Sequence, residues 1–182
     1  SPALIHGWFT IDKTSPAGGG NFTSFNAAYD YIKCGIDGPV VFNVAPGSGT
    51  YDEQLIITPV SGASATNTIT FNGAGQTITY LPTKQTESAV IKLNGADYFT
   101  FNNLKIVPKG TTSSQWGFGV QLINDADFNT IDSCVIPIQQ TLTSSSYAGI
   151  VVSASDTDPV GRGNASCDDN TFSYNTITGG YY

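Results

Sequence analysis

Acidic side chains fall in close pairs along this 182-residue chain: Asp125 with Asp127, Asp156 with Asp158, and Asp168 with Asp169. Two carboxylates at a controlled separation are what cleavage of a glycosidic bond requires, one as the acid and one as the base or nucleophile. Asp125 and Asp127 are therefore the catalytic candidates. The competing reading is structural: short polar side chains at turns bond the neighbouring backbone, and Asp97, Asp127 and Asn67 fall at matching places in the repeat set out below. Asp156, Asp158, Asp168 and Asp169 offer oxygen ligands suited to Ca²⁺ if they converge, although their spacing is not that of a regular calcium loop. A solvated acidic turn is the alternative, and no other cofactor is expected.

The remaining reactive residues are few. His6 is the only histidine, so a Ser-His-Asp or Cys-His arrangement would depend on a residue near a terminus. Arg162 is the only arginine and lies in a Gly-, Ser- and Asp-rich stretch, which weakens a lyase reading that needs a poised cationic base. Cys34, Cys134 and Cys167 follow no metal-ligand spacing and read as buried free thiols or one disulfide. Trp116 and, next, Tyr147 are the aromatic residues that could stack on sugar rings.

Composition limits the partners. Seven Lys and Arg against fourteen Asp and Glu give a net charge of -7, opposite to the basic face that nucleic acids or anionic membranes select. No apolar run approaches the roughly 20 residues that cross a bilayer, so membrane insertion is not expected. Abundant Thr, Ser, Asn and Gly favour strands and turns over helices.

What must position these residues is a repeat. Phe71, Phe101 and Ile131 each follow a threonine, at steps of 101 - 71 = 30 and 131 - 101 = 30. Phe42 precedes them by 29 and Phe172 follows by 41, a longer step that the segment 153–170 explains as an inserted loop. Each rung alternates apolar and polar residues, the pattern of a half-buried strand. Second strands read at 53–57, 89–93, 118–123 and 148–152. Two or three short strands per coil of about 30 residues, stacked at ~4.8 Å, describe an all-β, single-stranded, right-handed parallel β-helix in which like residues lie on one another. A short helix over 21–36, with Thr23 as its N-cap and Phe25, Ala28, Tyr29 and Ile32 on one face, closes the N-terminal end. One domain results, with the cap at about 19–36 and coils over about 38–182. The last rung has no cap after it, so the chain is expected to be the leading part of a longer protein, with end-to-end stacking through that uncapped coil.

The cap helix, "GPVVFNVAPGSGTYDEQLII" (38–57), "GASATNTITFNGAG" (62–75) and "VIKLNGADYFTFNNLKI" (90–106) together resemble the N-terminal region of large secreted parallel β-helix proteins of Bacteroidota, often cargo of the type 9 secretion system. That resemblance implies an extracellular or cell-surface location. A more distant similarity is to pectinesterases within the pectin-lyase-like β-helices, carried by Gly20, Phe22, Ala27, Ala28, Val44, Gly47, Tyr51 and Glu53. Those enzymes place a Gln before an apolar strand, which Gln121 in "VQLI" matches, but Gln140 stands where they place an Asp, and an amide supplies neither acid nor carboxylate base. The expected function is thus a structural, adhesive or glycan-binding surface module without chemistry of its own, with a polysaccharide or another surface protein as partner. The alternative is a polysaccharide lyase or pectinesterase-like enzyme.

Overall fold

The structure, a computed structural model, describes residues 5–163 and 166–181. Their strands form three parallel sheets, each built from one strand per coil. Sheet A runs Thr171–Ser173, Thr130–Asp132, Phe99–Asn102, Ile69–Asn72, Val40–Val44, Gly7–Ile11 and Asn21–Phe22 in spatial order. Sheet B runs Thr176–Thr178, Val135–Pro137, Lys105–Pro108, Thr77–Tyr80 and Thr50–Asp52. Sheet C runs Tyr147–Val152, Gly117–Ile123, Ala89–Asn94 and Leu55–Ile57. The chain passes from A to B to C and rises one coil, which is a parallel β-helix. It is the architecture that the 30-residue period predicts.

Registry makes the core. Phe42, Phe71, Phe101, Ile131 and Phe172 pair in succession across sheet A. Their rings stack, 4.9 Å between centroids for Phe42 and Phe71 and 5.2 Å at 4° for Phe71 and Phe101. Sheet B adds Tyr51, Ile78 and Ile106 in register, and sheet C adds Leu55, Ile91 and Val120. Close approach sets one requirement. A Cβ on Gly119 would stand 2.4 Å from Ile136 and 2.6 Å from the Gly149 carbonyl, so only glycine lets the wall of sheet C meet that methyl. The column loses cover at its last rung, where Phe172 is 43% exposed.

Two expectations need correction. The column begins one rung earlier than the repeat indicates, because Gly7–Ile11 pairs with Val40–Val44 and puts Phe9 under Phe42. Its step of 42 - 9 = 33 departs from the period, since a loop and the cap helix intervene. The helix, Phe25–Ile32, takes its N-cap from Ser24 rather than Thr23, with Ser24 Oγ accepting the Ala27 N–H at 3.0 Å. Glu53 completes that cap. Its two oxygens accept the N–H groups of Phe25 at 2.8 Å and Asn26 at 3.0 Å, placing a carboxylate at the positive end of the helix. Phe25, Ala28, Tyr29 and Ile32 are the buried face, as their spacing predicts. Phe25 meets Tyr51 edge-on at 5.2 Å and stacks on Phe71 at 5.8 Å.

No disulfide joins the three cysteines, of which Cys34 is exposed, Cys134 buried and Cys167 between. Burial pushes the Cys134 thiol up, which removes its thiolate as well as its access. A thiol reagent at neutral pH is therefore expected to modify Cys34 within minutes and Cys134 only after denaturation. Mass mapping of the labelled peptides checks this.

Candidate functional site

The corner that leads into sheet A gathers the carboxylates. Asp97, Asp127 and Asp168 occupy one position in successive coils, and each of the first two serves the coil above. Asp97 Oδ1 accepts the Asp127 N–H at 2.8 Å and Asp127 Oδ1 accepts the Asp168 N–H at 2.6 Å. Two residues on, amides serve the coil below. Asn129 Oδ1 accepts the Phe99 N–H at 3.0 Å, its Nδ2 donates to the Ala96 carbonyl at 2.8 Å, and Asn170 repeats the pattern toward Asn129 and Ala126. These bonds satisfy corner backbone groups that no sheet can reach. Asn67 does not join them; its N–H closes a local turn on Ser64. Asp125 is exposed, in the left-handed region at φ 58.

Burial, helped by the charges of Asp127 and Asp125 and opposed by the bond from the Asp127 N–H, holds the Asp97 carboxyl above its ordinary range. A carboxyl whose folded pKa is raised costs stability once pH exceeds the unfolded value of about 3.9, and costs nothing below it. Asp97→Asn keeps an acceptor for the Asp127 N–H. It is expected to raise the melting temperature at pH 7 and to lose that gain near pH 3, as thermal unfolding at the two pH values would report.

A second polar cluster lies on the outer side of sheet C, under a strap formed by 153–161. Lys92, only 3% exposed, pairs with Asp156 and donates to the Thr86 carbonyl at 3.1 Å. Gln121 is fully buried; its Oε1 accepts from Ser88 Oγ at 3.0 Å and its Nε2 donates to the Asp156 carbonyl at 2.9 Å. Ser153 Oγ ties the strap to itself through the Ser155 and Asp158 carbonyls. Gln121 and Lys92 thus anchor a loop, and the strap occupies the space above them. Asp156 faces a lysine, Asp158 Oδ1 accepts the Val160 N–H at 3.0 Å, and Asp168 and Asp169 sit at the aspartate corner. Among the described residues no three His, Cys, Asp or Glu side chains come together as a metal site.

The aromatic candidates also have packing partners. Trp116 is half-buried against Ala89, Phe118, Ala148 and Val151. Tyr147 is fully buried with its hydroxyl donated to the Thr112 carbonyl at 2.7 Å, which leaves no ring face for a ligand. Among the described residues two aromatic side chains stand largely in solvent: Tyr174, 90% exposed, and Trp8, 82% exposed on the outer face of sheet A. Beside it His6, Gly7, Pro39 and Val41 enclose about 310 Å³. His6 Nδ1 lies 3.0 Å from Asp37. Sequence reasoning missed this cleft because Trp8 precedes the first recognised rung; the alternation in "GWFTI" was the available signal. Comparison with protein-family models, with curated proteins and with solved structures gives no match to this chain.

Proposed function

We propose that this β-helix is a recognition module of an extracellular or cell-surface protein, which binds a glycan through one flank of the solenoid and carries out no reaction itself. The observation that supports this best is how the candidate catalytic groups are used. Asp127 is engaged in a backbone ladder, and the polar groups on sheet C lie beneath a strap held by Lys92, Gln121 and Ser88. A hydrolase or lyase needs such groups open to substrate at one place. The resemblance over 19–106 to secreted Bacteroidota β-helix proteins supports the location. The strands Thr171–Ser173 and Thr176–Thr178 each pair on one side only among the described residues, an edge at which another subunit would add.

The test pairs a glycan array probed with the full chain and turnover assays on polygalacturonate and methyl-esterified pectin. Binding without unsaturated product or released methanol is the expected outcome. Turnover abolished by Asp125→Asn or Asp127→Asn would overturn the reading.

A further inference from the structure

Sheet A turns two columns of side chains outward. One reads Trp8, Val41, Thr70, Thr100, Thr130 and Thr171 from coil to coil, and two residues along each strand the other reads Thr10, Asn43, Asn72, Asn102, Asp132 and Ser173. We propose that this face, from Trp8 up the threonine column, binds a neutral, linear polysaccharide laid along the helix axis. The proposal rests on the glycan-binding reading above and names its site and ligand class.

Three observations carry it. Among the described residues no hydrogen bond engages the hydroxyls of Thr70, Thr100, Thr130 and Thr171, so each coil presents one group able both to donate and to accept. The amides beside them are already oriented: Asn72 Nδ2 donates to Asn43 Oδ1 at 2.9 Å and Asn102 Nδ2 to Asn72 Oδ1 at 3.4 Å. That order leaves the Asn43 Nδ2 and Asn102 Oδ1 ends for a ligand, at no further rotamer cost. The polar groups therefore recur at ~4.8 Å along the axis, close to the advance per sugar of an extended glycan.

At the foot of the column the indole of Trp8, with Val41 and Pro39, lines the 310 Å³ cleft. An apolar ring face beside a polar rim suits the C–H face of a sugar. Charge selects among glycans. The two columns hold no cation, Asp132 is their single ionisable group, His6 in the cleft already faces Asp37 at 3.0 Å, and the chain carries a net -7, so uronate and sulfated polymers meet repulsion with no unpaired cation in the columns or the cleft to offset it. A protein partner fits less well, because a protein interface needs an apolar centre and this face is hydroxyl and amide beyond its first two rungs.

The experiment is affinity electrophoresis of the full chain in gels containing hydroxyethyl cellulose, a neutral linear glucan, or polygalacturonate. Trp8→Ala and the shape-conserving pair Thr100→Val/Thr130→Val are run beside it, with circular dichroism to confirm that each variant folds. Retardation by the glucan alone, weakened about tenfold by Trp8→Ala and several-fold by the threonine pair, is the expected result. Binding to glycans that both variants retain, or that polygalacturonate alone elicits, overturns this site while leaving the glycan-binding reading intact. Absence of binding here and on the whole glycan array overturns both.

Discussion

Replacing Phe101 by alanine is expected to lower the free energy of unfolding by about 3–5 kcal/mol, the cost of removing a buried aromatic ring and leaving a cavity. Phe101 has no exposure, stacks on Phe71 at 5.2 Å and pairs in register with Ile131, so its loss opens the column between two coils at once. Phe172→Ala removes the same ring from the same column at the last rung, where it is 43% exposed. That variant is expected to lose about 1 kcal/mol, since only part of the ring leaves water there on folding. Urea unfolding of the two variants beside the parent chain measures the contrast. Equal losses would mean that Phe172 is packed as fully as Phe101.

Glu53→Ala carries the second large effect, about 2–3 kcal/mol of destabilisation. The carboxylate accepts from the Phe25 N–H, the Asn26 N–H and, at 2.6 Å, the Asn26 side-chain amide. Truncation leaves the two N–H groups without that partner at the part-buried end of the cap helix, while the Asn26 amide keeps the Gln54 carbonyl at 2.9 Å. Glu53→Gln retains one acceptor and is expected to lose about half as much. The helix lies over Tyr51 and Phe71, so loosening it exposes the first coils. Earlier hydrogen exchange in the amides of 40–44 and 69–72, with those of 117–123 unchanged, would be the accompanying sign.

These two residues also show what the sequence made legible. Phe101 could be placed because stacking demands a constant step between coils, and the step of 30 from Phe71 to Ile131 survives in the sequence. Glu53 could be placed only as a member of a motif. Its contact with Phe25 spans 28 residues and involves two backbone N–H groups, which have no sequence signature. Phe9 and Trp8 were missed for the reason that Phe101 was found: an irregular step of 33 hides a regular position. The candidate site suffered more. Asp125, Asp127, Asp156 and Tyr147 look chemical by residue type, yet whether such a group is free depends on what folds over it. Lys92 meeting Asp156 from 64 residues away, or the Tyr147 hydroxyl meeting Thr112, cannot be read from either neighbourhood. The Thr and Asn columns, ionisable only at Asp132, were visible as "TFN" repeats, but their outward aspect emerges only from strand register.

The claim on which all of this depends is that residues one coil apart lie directly on one another. Nuclear Overhauser contacts in the aromatic and methyl region test it most directly. Strong contacts are expected from the Phe101 ring to the Phe71 ring on one side and to the Ile131 methyls on the other, with Phe71 likewise reaching Phe42. A Phe101 ring that instead contacts only residues near it in the chain, with neither Phe71 nor Ile131 among them, would contradict the solenoid and the binding face built on it.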